Sequence, residues 1–238
     1  ERYQLPFGLL AEDDINSALP QQLALARVRR GAQVGLITDA FTPEAFIRNL
    51  IRAMQDGTVI DSGEGDLQFK GTAGLEPLGL NQESAVRYLS AEQSNSSVVV
   101  GEALVLKMIR KVSAGVHPEL EMGAYLTAAG YQNISPLLGS LQRIGVDGQP
   151  HLLMIAQGYL DNQGDAWEWT QNNLERAVRD ELTPRTASQE QAYNALAELA
   201  EFSSRLGQRL GEMHQALAAP TDNPDFMVQT TNSDEAKA

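Results

Sequence analysis

QSNSSVVVGEALVLKMIRK, residues 93–111, holds two strand-like runs joined at Gly101-Glu102, a turn short enough for a hairpin. Alternation along the second run places Leu104, Leu106 and Met108 on one face and Val105, Lys107 and Ile109 on the other. An ammonium on that second face needs a carboxylate or phosphate beside it, or it must snorkel to water at a sheet edge. Lys107, Arg110 and Lys111 together form either a local positive patch or a solvated strand end.

Working outward, AVRYLS (85–90) precedes the polar loop AEQSNS (91–96), and HPELEMGAYLTAAG (117–130) follows as a helix with Gly130 as its C-cap. SPLLGSLQRIG and QPHLLMIAQGYL supply two more strands, turned by Asp147-Gly148. The order is strand, loop, strand, strand, helix, strand, strand. Residues 1–80 predict a small α+β unit, with strands in RYQLPFGLL, ARVRRGAQVGLITDAF and DLQFKGT. AEDDINSALP is read as a loop, and a helix runs from Thr42 as N-cap and Pro43 as first residue to Gly57. Residues 161–238 predict helices: one runs to Thr183-Pro184, and a second opens with a Ser188/Gln191 capping box. The second carries the stripe Leu196, Leu199, Leu206, Leu210, Met213 and Leu217, read as a core face, before a polar tail.

A chain of 238 residues with 42% hydrophobic and 21% charged residues can bury a sizeable core in one or two domains. The formal net charge of −13 argues against nucleic acid or an anionic membrane as main partner. The absence of Cys removes disulfides and thiolate metal sites and favours a reducing, cytoplasmic setting. No apolar run approaches the roughly 20 residues that span a bilayer. The first residue is Glu1 rather than Met, as expected of a processed chain or a segment.

The element order of residues 81–160 fits a kinase small lobe. There, a loop between the first two strands covers the nucleotide phosphates, the third strand offers a Lys, and the next helix a Glu. AEQSNS takes the loop position without the usual glycines. Its Ser94, Asn95, Ser96 and Ser97 could act through hydroxyl donors and backbone N–H groups. Lys107 takes the strand position and Glu119 or Glu121 the helix position.

The run EQSNSSVVVGEALVLKMIRKVSAGVHPELEMGAYLT resembles the small lobe of the maltokinases, which transfer phosphate from ATP to the anomeric hydroxyl of maltose. AQGYLDNQGDAWEWT resembles their hinge and the start of their large lobe, and ALARVRRGAQVGLITDAF the end of their N-terminal cap. The resemblance spans most of residues 23–219, with QSNSSV and NQGDAW its most specific motifs. It implies an α+β fold in three parts: a partial cap (1–80), a small lobe of antiparallel sheet with one inserted helix (81–160), and the first large-lobe helices with a loose tail (161–238). It further implies Ser94–Ser97 over the ATP phosphates, Lys107 on the α- and β-phosphates, and Glu121 holding Lys107, with Glu119 less favoured. Gln157, Gly158 and Tyr159 would meet the adenine through backbone groups. A sugar such as maltose is the implied acceptor, and trehalose synthase a fusion or docking partner.

The superfamily's His-x-Asp loop and Mg²⁺-binding Asp have no counterpart here. His117 is followed by Pro-Glu, His151 by Leu-Leu and His214 by Gln-Ala. Asp225-Phe226-Met227 mimics part of a metal-binding Asp-Phe-Gly element, but within a polar tail. The expectation is a segment of an ATP-dependent maltose kinase, with Mg²⁺ ligands elsewhere and no phosphate transfer by the chain alone. A non-catalytic module that docks on trehalose synthase or another subunit is the alternative. An acidic α+β domain in which Lys107 snorkels is the third reading.

Overall fold

The computed structural model describes residues 1–15, 18–89, 95–162, 164–182 and 189–228, and the side chains of these apart from 180, 181 and 189–196. In chain order the elements are Arg2–Tyr3 (β1), Phe7–Ala11 (β2), Leu19–Gln22 (α1), Ala24–Arg30 (β3), Gln33–Asp39 (β4) and Glu44–Gln55 (α2). Then come Val59–Asp61 (β5), Gly65–Gly71 (β6), Val86–Leu89 (β7), Ser96–Val100 (β8), Leu104–Met108 (β9) and Lys111–Val112 (β10). Pro118–Ala128 (α3), Leu137–Gly145 (β11), Pro150–Gly158 (β12), Ala166–Leu182 (α4) and Gln189–Leu217 (α5) complete them. Two compact units result: Glu1–Thr127 with Ile134–Leu160, and Ala128–Asn133 with Asp161–Ala238.

The first unit is built on a seven-stranded sheet in the order β5-β6-β11-β12-β9-β8-β7, antiparallel throughout. The β8–β9 hairpin turns at Gly101 and Glu102, whose φ of 60° and 52° are both left-handed. Three residues, Gly101–Ala103, connect the strands, and the Ala103 N–H donates to the Val100 carbonyl at 3.2 Å, closing a β-turn whose two central residues have positive φ, which is why a Gly leads it. Leu104, Leu106 and Met108 are each 0% exposed and share a core with Val98, Val100, Met154 and Ala156. Over this face lies α2, which buries Ile47, Leu50, Ile51 and Met54 at helical spacing.

The boundary expected at residue 80 does not separate two cores. α2 closes the core of the sheet, and β5 and β6 extend that sheet past β11. β1 pairs with β10, and the Gln4 amide donates to the carbonyls of Ile109 and Leu153 at 2.6 Å each. β2, β4 and β3 form a separate three-stranded sheet. The N-cap of α2 is Pro43 rather than Thr42. The helix has no side-chain cap, because the Thr42 hydroxyl donates to the Asp39 carbonyl at 2.8 Å rather than turning to the helix N–H groups. AEDDINSALP contains a 3-10 turn, Glu12–Asp14, and the start of α1.

In the second unit α4 packs on α5, with the Trp169 and Phe202 rings 4.6 Å apart. Tyr131 donates its hydroxyl to the Arg209 carbonyl at 2.7 Å. The stripe on α5 is a full core face only in part. Leu199, Met213 and Leu217 are half-buried, whereas Leu206 and Leu210 are 59% and 48% exposed, because α5 has one long helical neighbour in its unit. Ser188 and the Gln191 side chain lie outside the described residues. No described helix is long and apolar enough to cross a membrane.

Candidate functional site

The face of the sheet opposite α2 carries the polar groups. Register fixes its rows, since residues directly opposite on neighbouring strands point to the same side. One row runs Leu89, Ser97, Lys107, Ile155, Ser140; the next runs Arg87, Val99, Val105, Gln157, Leu137. Lys107 thus rises between the buried Ser97 and Ile155, on a central strand rather than an edge. Its Nζ donates to both Glu119 carboxylate oxygens, at 3.3 and 3.4 Å. The two side chains are 22% and 32% exposed, so the ammonium is held while part of it stays open to water.

The helix partner is Glu119, not Glu121. His117 fixes the entry: its Nδ1 accepts from the Glu119 N–H at 3.3 Å, and the helix starts at Pro118. Glu119 therefore sits in the first turn, where a carboxylate also suits the positive end of the helix. Glu121, two residues on, points about 200° away around the helix axis.

The loop residues are held differently from the sequence expectation. Ser94 lies outside the described residues. Arg110 engages the next two: its N–H donates to the Asn95 side-chain carbonyl at 3.3 Å, and its Nε and Nη2 donate to Ser96 Oγ at 3.1 and 2.8 Å. The same guanidinium is paired with Asp39 on β4. Lys111 is paired with Glu1 at 2.7 Å. The triplet Lys107, Arg110 and Lys111 is accordingly not one patch, because each cation has its own carboxylate. Ser97 Oγ is buried and has no hydrogen-bond partner among the described residues. Leaving a buried hydroxyl unpaired costs about 1–3 kcal/mol.

At the end of β12 most backbone groups of the expected hinge are engaged. Gly158 N–H donates to Pro136 O and Tyr159 N–H to Ala103 O, both at 2.9 Å. Gly158 O accepts from Ser135 Oγ, which leaves that carbonyl one further lone pair. Gln157 lies in the sheet ladder, with its side chain on the row next to Lys107. The Tyr159 hydroxyl accepts from Arg87 at 3.1 Å, and the same guanidinium lies 5.5 Å from the ring centroid.

The three histidines have structural places: His117 at the α3 entry, His151 buried in β12 with Nδ1 3.1 Å from Gln149 O, and His214 in the last turn of α5. Asp225-Phe226 forms a 3-10 turn capped by Asn223 and holds no catalytic arrangement. The kinase resemblance implies Mg²⁺. Among the described residues no group of three or more His, Asp or Glu could hold a metal ion, so no residue here is assigned to it. Arg110 was read only as part of a positive patch; its pairing with Asp39 escaped the sequence reading because 71 residues separate the two.

The sheet order, the inserted helix and the Lys–Glu pair define a mixed α+β fold of kinase type, antiparallel in its sheets. Two solved structures share it. One is a glucosamine kinase in complex with glucosamine, ADP and inorganic phosphate, with a TM-score of 0.51 at 24% identity over 81% of this chain and 40% of that one. The other is crystal form B of glucosamine kinase, with a TM-score of 0.52 at 24% identity over 81% and 39%. In sequence, the chain is 30% identical over 141 residues to a glucosamine kinase of Streptacidiphilus jiangxiensis. That match covers 58% of this chain and 29% of the curated relative, so the chain spans less than a third of that protein's length. No protein-family model matches.

Proposed function

We propose that this chain forms the nucleotide-facing part of an ATP-dependent sugar kinase. The observation that carries the reading is the partly exposed Lys107 side chain, held by Glu119 in the middle of a central strand, beside the stem of the β7–β8 loop. A cation fixed in this way favours an anion beside it, and the kinase-type order of elements makes the anion a nucleotide phosphate. In this reading Lys107 contacts the α- and β-phosphates and Glu119 orients it. Ser94–Ser97 cover the phosphates chiefly through backbone N–H groups, and Gly158 offers its remaining lone pair to the adenine amino group. The residues described here bind and orient nucleotide; no base or metal ligand is assigned among them.

The acceptor is a sugar hydroxyl. The similarity to proteins named as glucosamine kinases supports glucosamine as one candidate, and the QSNSSV and NQGDAW motifs support maltose as the other. Calorimetric titration with ATP tests the nucleotide reading: saturable binding is expected, weakened roughly ten- to a hundred-fold by Lys107→Met, as the loss of a charge-assisted bond implies. Binding unchanged in that variant overturns it. A coupled assay of ADP release with each sugar, on the protein that contains this chain, tests the acceptor; release with neither removes the sugar-kinase reading.

The exposed Phe7, Leu9 and Leu25 favour a second reading for the first part of the chain, as a module that docks on trehalose synthase. Co-sedimentation with that enzyme is its check, and independent migration counts against it.

A further inference from the structure

Arg87 and Tyr159 meet across the width of three strands. Arg87 is on the edge strand β7, where its neighbours Val86 and Tyr88 pack against the core that α2 closes. Alternation therefore lifts the Arg87 side chain onto the Lys107 face. Tyr159 follows β12, and its N–H donates to Ala103 O at 2.9 Å, which sets it beside the start of β9. Strands β8 and β9 lie between the two residues. Spacings of about 4.8 Å make this a gap of roughly 14 Å. An Arg and a Tyr side chain close such a gap only when both are extended and lie flat over the sheet. They do close it: Arg87 Nη2 donates to the Tyr159 hydroxyl at 3.1 Å, with the guanidinium 5.5 Å from the ring centroid. From the hairpin turn, Glu102 Oε1 accepts from Arg87 Nε at 3.5 Å, which gives a reason for a Glu at a left-handed position. Between Arg87 and Gln157 the row on this face is Val99 and Val105. Val99 is 1% exposed, as a side chain beneath such a bridge should be.

We infer that the Arg87–Tyr159 bridge roofs the nucleobase subsite: a purine reaches Val99 and Val105 by parting the Arg87–Tyr159 bond, and then stacks on the freed ring. The inference rests on the nucleotide reading and deepens it. Val99 and Val105 lie two residues along their strands from Ser97 and Lys107, an offset of about 7 Å, so phosphates at the ammonium set the base over this strip. A flat apolar floor with an aromatic ring at its rim suits a planar ring system, since aromatic pairs stack with an offset and bury large areas. The bond to be parted is a surface one, with the Arg87 side chain 48% exposed. Opening it therefore lowers the affinity for the base without barring its entry. A tie that served stability alone would be indifferent to what binds beside Lys107.

Calorimetric titration of the full chain with ADP and, separately, with inorganic pyrophosphate tests this, on the unaltered protein, Tyr159→Phe and Tyr159→Leu. Tyr159→Phe keeps the ring and loses the bond. It is expected to bind ADP roughly two- to five-fold more tightly, because a larger fraction of the protein is open to the base. Tyr159→Leu loses the ring as well and should bind ADP more weakly than Tyr159→Phe does. Pyrophosphate has no base and should bind all three proteins alike. ADP affinity that is unchanged or lowered in Tyr159→Phe, or pyrophosphate affinity that moves with it, overturns the roof. ADP binding to Tyr159→Leu as tight as to Tyr159→Phe overturns the stacking. If the unaltered chain binds neither probe, the nucleotide reading itself falls, whereas pyrophosphate binding with no response of ADP to Tyr159→Phe removes the roof alone.

Discussion

The two faces of the seven-stranded sheet are built from the same strands and obey opposite rules. The α2 face is filled by Val98, Val100, Leu104, Leu106 and Met108, at 0 or 1% exposure. The other face interrupts its apolar rows with Ser97, Lys107, Ser140 and Gln157. The difference teaches where the molecule invests in stability and where in chemistry. One face gains from area removed from water, the other keeps polar groups whose burial is unfavourable unless something binds them.

The largest effect belongs to the apolar face. Leu106→Ala should destabilise the fold by about 2–5 kcal/mol in urea denaturation, as large-to-small core changes do. A loss below 1 kcal/mol would mean that this face is not the core.

Next comes Lys107→Met, read for stability rather than binding. The Lys107–Glu119 pair is partly exposed and its contacts are long, so its loss should change unfolding free energy by about 1 kcal/mol or less. A fully buried pair would cost about 3–5 kcal/mol on losing one partner. The same substitution thus separates the faces: little stability is lost here, much at Leu106.

Glu119→Gln should then weaken ATP binding by roughly three- to ten-fold, with Glu121→Gln close to unaltered, because of these two carboxylates it is Glu119 that touches the ammonium. The reverse ranking in a calorimetric comparison would restore Glu121 as the partner.

A further effect is one of pH. Burial, with Glu44 nearby adding to it, pushes the Tyr88 hydroxyl up to about 12, and that hydroxyl donates to the Thr42 carbonyl. The unfolded value is near 10. Tyr88 therefore contributes stability that is fully present below pH 10 and is lost as pH rises from 10 to 12. The stability difference between the unaltered chain and Tyr88→Phe should shrink across that window; a constant difference would contradict it.

Local rules made much of this fold readable. Alternation separated Lys107 from Leu106 and Met108, Gly101-Glu102 marked the hairpin, and helical spacing gave α2 its buried side. The site was legible as far as its cation. The choice of Glu119 over Glu121 was not, since it depends on where the α3 helix begins, and His117 decides that through one hydrogen bond. Strand β5 escaped because Val59–Asp61 is three residues long and its outward pattern shows no alternation. The shared core of residues 1–80 and 81–160 also escaped. Its contacts, such as Gln4 with Leu153, link residues 149 apart and leave no periodic trace.

The most direct measurement of the central claim is the ¹⁵N–¹H amide spectrum of the chain titrated with ADP. Saturable shifts centred on Ser96–Val99, Val105–Lys107 and Gln157 are the predicted result. Shifts confined to other elements, or none at millimolar ADP, would contradict the assignment of this sheet face to nucleotide phosphates.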